Sequence, residues 1–463
     1  MPKNLTVGPP VRLIVLFTLP LLIGNLFQQL YAVTDAMVVG RMLGVDALAA
    51  VGAAGSLQFL LFGFAMGASA GLAIPIARAF GAGDLAGVRR ALTAGILIST
   101  GIAVAITLIG RLGSRTLLSW MGTPPELMGN ATTFLTVLFS GAAATVAFNF
   151  LSSVIRALGD SRTPLVFLVI ACVLNAVLVV LFIAVFKFGV GGAAAATLVA
   201  QAISVALCMV LIARRMPELR VRRRDWKISS DEISESLKLG LTLGFQMSVI
   251  AIGAAVLQYG INKLGTEAVA AFTAAIRVDQ VAVIPLASVG VAMSTYVAQN
   301  RGAGQWWRIR FGVFRISLFA VALALSLGAG ITIFGTDIAR LFVGQGEDHI
   351  VALTHQYLIL NGSLYSVLAI LFLLRNALQG LGATAVPTIA GFMELVARSA
   401  VGLLLIERIG FLGACLAAPL AWVAALLPVA ISWGIHRRRM LRAEVDAMRR
   451  ASEVCTVLLA SQV

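Results

Sequence analysis

Long apolar runs fill the chain, and short polar breaks separate them. The runs cover roughly 13–39, 48–77, 91–110, 131–155, 164–186, 192–213, 239–261, 268–297, 312–334, 353–377, 386–406 and 411–434. Most approach or exceed the roughly 20 residues a helix needs to cross a bilayer. None alternates polar and apolar at period two, so membrane strands are not expected. The pattern predicts an all-α integral membrane protein with twelve transmembrane helices.

The polar breaks set its orientation. Arg89 and Arg90 follow run 2, Arg156 and Arg162 flank the break after run 4, and RRMPELRVRRRDWK (214–227) follows run 6. Arg301, Arg308, Arg310 and Arg315 follow run 8, and HRRRMLR (436–442) follows run 12. The opposite breaks hold scattered single charges. Basic loops stay on the cytoplasmic side, so both termini are expected there, with the chain in the plasma membrane. The predicted organisation is an N-terminal six-helix lobe (1–213), a basic cytoplasmic linker (214–238), a C-terminal six-helix lobe (239–436) and a cytoplasmic tail (437–463).

Composition agrees. Of 463 residues, 60% are hydrophobic and only 12% charged, with mean hydropathy +0.98. Soluble domains carry roughly twice that share of charge. The net charge of +15 would suggest nucleic acid in a soluble protein. Here the loops account for it, and no nucleic-acid partner is expected. Cys172, Cys208, Cys415 and Cys455 are far apart, and His349, His355 and His436 form no ligand or relay set. No metal site, cofactor or enzymatic centre is predicted, and no GxxxxGK[ST] motif points to ATP.

The chain repeats itself. GVDALAAVGAAGSLQFLLFGFAMGASAGLAIPIARAFGAGD from Gly44 parallels GTEAVAAFTAAIRVDQVAVIPLASVGVAMSTYVAQNRGAGQ from Gly265, an offset of 221. RALGDSRTP from Arg156 parallels QGLGATAVP from Gln379 at 223, and GVGGAAAAT from Gly189 parallels GFLGACLAA from Gly410 at 221. Each half has six spans, an even number, so both enter the membrane from the same side. They form a parallel internal repeat about an axis along the membrane normal. Two such lobes suit a carrier that rocks about a central cleft.

PLLIGNLFQQLYAVTDAMVVGRMLGVDALAAVG, the RALGDSRTP break, the GVGGAAAAT helix start and YVAQNRGAG resemble the multidrug and toxic compound extrusion (MATE) transporters over about residues 10 to 435. The resemblance implies a twelve-helix antiporter that exports amphipathic, cationic organic compounds in exchange for H⁺ or Na⁺. It also has lipid-flipping relatives, so the alternative is a flippase for a lipid or lipid-linked anionic precursor. The expected partners are a small organic substrate and membrane lipid, and the expected state is a monomer.

An ionised group at the bilayer centre costs roughly 2.5–3.5 kcal/mol, so intramembrane charges are candidates for function. Asp35 stands inside NLFQQLYAVTDAMVVGRMLG. Laying the halves together puts Asp35 on Val256, Asn149 on Phe372, Asn175 on Arg398 and Thr197 on Ala418. A scaffold common to both halves does not require the first member of each pair. The four match the family's N-lobe cation site, which the resemblance makes the coupling site. A lone acid among apolar walls disfavours the anion, which suits H⁺. Asp35, Asn175 and their neighbours would also supply oxygens for Na⁺. Two departures bear on the ion. Val179 stands where proton-coupled members often carry a second acid, which leaves the ion less fixed, whereas span 7 carries no acid, which weakens Na⁺; H⁺ is put ahead of Na⁺. The competing reading of Asp35 is a helix-end residue bonded to a loop.

Pro20, in the same span, is expected to permit bending, as the resemblance implies. In the second lobe, Glu394 and Arg398 stand at i, i+4 and are expected to pair. Arg277 and Asp279 need partners elsewhere, with Asp279 to Arg398 across helices one arrangement. These four form either a neutralised network or a substrate-contacting set. Gln28, Gln246, Met37, Met66, Met247, Met293, Phe272 and Tyr259 are expected either to line an adaptable cleft or to pack plainly.

Overall fold

The computed structural model of the chain describes residues 4–343 and 347–460. The first half comprises α1 (Pro10–Leu43), α2 (Val45–Gly81), α3 (Leu85–Trp120), α4 (Pro125–Ser140), α5 (Ala142–Ala157), α6 (Arg162–Val180) and α7 (Gly189–Arg215). The second comprises α8 (Ser230–Asn262), α9 (Thr266–Gly302), α10 (Trp306–Val343), α11 (Asp348–Ser363), α12 (Tyr365–Gly380), α13 (Ala385–Ala400), α14 (Ile406–Ile409) and α15 (Phe411–Ala460). Ten helical stretches are long and apolar enough to cross a bilayer, and the bent pairs α4–α5 and α11–α12 raise the number to twelve among the described residues.

Those pairs are where the expected runs 131–155 and 353–377 break, with bends of 53° and 50°. At the first, the side chain of Leu198 occupies the space that a Cβ on Gly141 would fill. At the second, the Leu364 amide closes a three-residue turn onto Asn361, tighter than an α-helical turn.

The repeat is written into the backbone. Gly44 (φ 89°) opens α2 and Gly265 (φ 94°) opens α9, a region that residues with a Cβ rarely adopt. Both helices are 37 residues long. π-helical turns at Leu181–Val185 and Val401–Leu405 extend α6 and α13 at matching places. Between the lobes, short 3₁₀ turns at Pro217–Leu219 and Arg223–Trp226 dock on α3, where the Thr93 hydroxyl donates to the Asp225 carbonyl. The last residues of the segment read as linker already belong to α8, started by a Ser229–Glu232 capping box. Likewise α15 runs unbroken through the expected lobe–tail boundary to Ala460.

The lobes meet on the face that carries the chain ends. A Cβ on Gly67 or Gly71 of α2 would strike the carbonyls of Leu243 and Leu239 on α8. Arg78 pairs with Glu235 at 2.6 Å and Arg90 with Glu232 at 2.7 Å. An apolar cluster that includes Leu72, Ile76, Leu239, Leu243 and Ala298 draws on both lobes. Gly71→Val is therefore expected to wedge this seam. Overpacking of this kind costs about 1–3 kcal/mol. Loss of the monodisperse species on heating in detergent should come at lower temperature than in wild type, and an unchanged transition would contradict so close a crossing.

Helix α1 is shared between the lobes. Leu5, Ile14 and Phe17 belong to the core of the second lobe. Farther along, Gly24 faces Leu165 and Leu168 of α6, and Val39 joins the core of the first. Ahead of α1, the Leu5 amide donates to Gln299 and its carbonyl accepts from Asn300 and Arg308, all in the second lobe. Pro20 sits where α1 changes lobes, and α1 remains one helix through it.

Candidate functional site: a polar cavity in the first lobe

A cavity of about 620 Å³ opens between α1, α2, α5, α6 and α7, with Ile284 of α9 on its far wall. Asn25, Gln28, Gln29, Gln58, Asn149, Thr197 and Gln201 supply polar groups, and Phe59, Phe62, Phe148 and Met66 supply apolar surface. Among the described residues, no Asp, Glu, Lys or Arg lines it. The Gly- and Ala-rich start of α7 lets that helix pack closely enough for Thr197 to reach α1 and α6.

Thr197 is the hub. Its hydroxyl oxygen accepts from Tyr31 at 2.9 Å and from the Asn175 amide at 3.2 Å, and it donates to the Ala193 carbonyl at 3.3 Å. These three bonds use the capacity of a hydroxyl. Tyr31 thus joins a set that repeat comparison alone did not find. The available signal was its place one helical turn before Asp35. Asn149 lies on the same cavity but donates to Thr145 of its own helix at 2.9 Å. The Thr145 hydroxyl in turn donates to Gln201.

Asp35 stands half-buried one turn beyond Tyr31, just outside the cavity lining, and α1 continues past it to Leu43. Its Oδ1 is buried and has no hydrogen-bond partner among the described residues. By helix rise the acid is roughly 12 Å from the end of α1, on the side away from the sealed face. Val179, which stands where proton-coupled relatives often carry a second acid, is fully buried in the core.

The second lobe arranges its charges differently from expectation. Glu394 does not pair with Arg398. It pairs with Arg375 of α12, and both side chains are about 5% exposed. Arg375 comes from the neighbouring helix α12, and a three-dimensional partner overrides the local i, i+4 spacing. Arg375 was not singled out because LFLLRNALQG shows one Arg at no marked spacing from an acid. Asp279 accepts from the Tyr365 hydroxyl at 2.7 Å and has Arg398 within electrostatic reach. Arg277 is exposed, with no ion pair or side-chain hydrogen bond among the described residues. Of the suggested cleft residues, Gln28 and Met66 line the cavity. Gln246 is instead buried against Gln379 at 2.9 Å, and Met293 and Phe272 lie in the second lobe's core, because they face into the helix bundle. Met247 packs at the α2–α8 crossing, and Met37 and Tyr259 are exposed.

Two six-helix lobes that meet at one face, with a polar cavity in the first, have the architecture of a membrane transporter built on a parallel repeat. The MatE family model matches residues 20–181 and again 243–404. The chain belongs to this family, the MATE transporters. It is 31% identical over 382 residues to the probable multidrug resistance protein YpnP of Bacillus subtilis (strain 168), covering 82% of this chain and 84% of that one. Its fold matches the structure of MATE in the bent conformation with TM-score 0.87 at 23% identity, covering 96% and 98% of the two chains. It also matches an outward-facing multidrug resistance MATE family transporter, with TM-score 0.86 at 23% identity, covering 95% and 98%.

Proposed function

We infer that this protein is a multidrug efflux transporter that exports amphipathic organic compounds in exchange for protons, by alternating access. Membership of a transporter family, and relatives described as multidrug resistance proteins, support the substrate class. Basic loops on the face that carries both chain ends put that face in the cytoplasm, so the arrangement described is open to the outside.

The observation that supports proton coupling is the unpartnered Oδ1 of Asp35, one helical turn beyond the Tyr31 that bonds a satisfied Thr197. A sodium ion wants several oxygen ligands at once. Thr197 has already committed both lone pairs and its proton, and Asn175 points its amide at Thr197. A single carboxylate oxygen without a partner suits a proton, which needs only one. Asn149 contributes to the cavity wall, and Pro20 lets α1 bend as the lobes move. Asp279, Tyr365 and Arg398, with the Glu394–Arg375 pair, form the neutralised framework of the second lobe.

The test is uptake of a fluorescent amphiphile into proteoliposomes under an imposed pH gradient or an imposed Na⁺ gradient. A pH gradient alone is expected to drive accumulation. Accumulation driven only by Na⁺ would overturn the ion, and none under either gradient would overturn the antiport.

A further inference from the structure

Arg277 is a charged residue that this framework leaves unexplained. Arg375 is neutralised by Glu394, Arg398 lies beside Asp279, and Arg156 donates to Ser153. Arg277 has no such partner among the described residues, yet it lies eleven residues inside α9, roughly 16 Å from its start by helix rise. A guanidinium facing lipid at depth is strongly disfavoured, so which way this face of α9 looks decides what the residue does.

Its stripe of α9 runs on to the wall of the cavity. At about 100° per residue, Arg277, Val281, Ile284, Ser288 and Val291 share one stripe of α9. Ile284 closes the cavity of the first lobe, and Ser288 accepts from Asn25 of α1 at 3.0 Å. Arg277 is two turns farther out along that stripe, on the open side of the seam, with Val281 54% exposed between.

We propose that Arg277 is an anion-binding residue of the substrate cleft, and that the transporter takes amphipathic organic anions. Their carboxylate or phosphate docks on the guanidinium while the apolar body enters the cavity among Phe59, Phe148 and the carboxamides. The cavity wall holds no acid to repel such a ligand and no base to compete for it. A guanidinium presents paired donors that match the two oxygens of a carboxylate or phosphate. This rests on the export reading above and revises its cationic expectation.

The test measures binding, which needs no coupling ion. Purified full-length protein in detergent is titrated with a fluorescent planar dye bearing one carboxylate, its methyl ester, the matching phosphate monoester, and a fluorescent phosphatidylglycerol, read by anisotropy. Wild type should bind the acid or the phosphate more tightly than the ester. Arg277→Gln should weaken anion binding at least about tenfold, the scale of a hydrogen bond to a charged group, and leave the ester unchanged. Arg277→Lys should recover most of the loss. An Arg277-dependent signal for the soluble anions assigns a free solute. The same dependence confined to phosphatidylglycerol assigns a lipid headgroup. Equal weakening of acid and ester in Arg277→Gln, no change in either, or no binding of any probe overturns the proposal. Gradient-driven uptake of the ester with no Arg277-dependent binding would overturn this inference and leave the export reading standing.

Discussion

Asp35→Asn is expected to uncouple transport while leaving the fold and the cavity in place. Asparagine keeps the shape of the side chain, but it cannot take up or release a proton. One charge moved through 100 mV supplies roughly 2.3 kcal/mol, and about 1.4 kcal/mol corresponds to tenfold in concentration. A proton-coupled cycle can thus hold a substrate gradient of a few tens-fold, and the variant should hold none. Proteoliposomes carrying Asp35→Asn should accumulate fluorescent amphiphile no faster under a pH gradient than protein-free vesicles. Binding to the purified variant should stay near wild type, because Asp35 lies outside the cavity lining. Wild-type accumulation by the variant would remove Asp35 from the coupling step. Lost binding with intact coupling would make it a substrate ligand instead.

The second large effect concerns stability. Arg375 and Glu394 are both buried, and each answers the other's charge. Removing one partner leaves an uncompensated ion in a low-dielectric core, a loss of about 3–5 kcal/mol. Arg375→Leu alone should therefore lower thermal stability in detergent sharply, and Glu394→Leu alone should do the same. Combined, the two should recover most of the loss, since replacing a whole buried pair with apolar groups is often neutral. A double variant as unstable as the singles would show that these residues hold the lobe together through other contacts.

What could be read before the structure, and what could not, divides by range. The spans, the two lobes and their offset were legible because each rests on local hydropathy or on chain-to-chain similarity. Gly44 and Gly265 show this, since the same residue type stands at the same backbone conformation in both halves. Asp35, Asn175 and Thr197 were legible because their counterparts Val256, Arg398 and Ala418 differ in polarity. Tyr31 was not, because its place one turn before Asp35 names no partner until its hydroxyl meets Thr197 of α7. The Glu394–Arg375 pair was misassigned to Arg398 because i, i+4 spacing is visible in one dimension and a contact with α12 is not. The bends at Gly141 and Leu364 were missed because hydropathy records how apolar a run is, not its direction.

The divided packing of α1 has a mechanical consequence. Its first half travels with the second lobe, tied by Leu5, Ile14 and Phe17, and its second half travels with the first, past Gly24. Any swing that parts the lobes at the sealed face pulls the two halves along different paths. In the proposed alternating-access cycle the helix would act as a crank with its elbow at Pro20, where a backbone hydrogen bond is already missing. The same crank carries Asp35 on its far arm. In the proposed exchange, loading or emptying that acid would bear on the lobes through this helix, with no contact between Asp35 and the seam required.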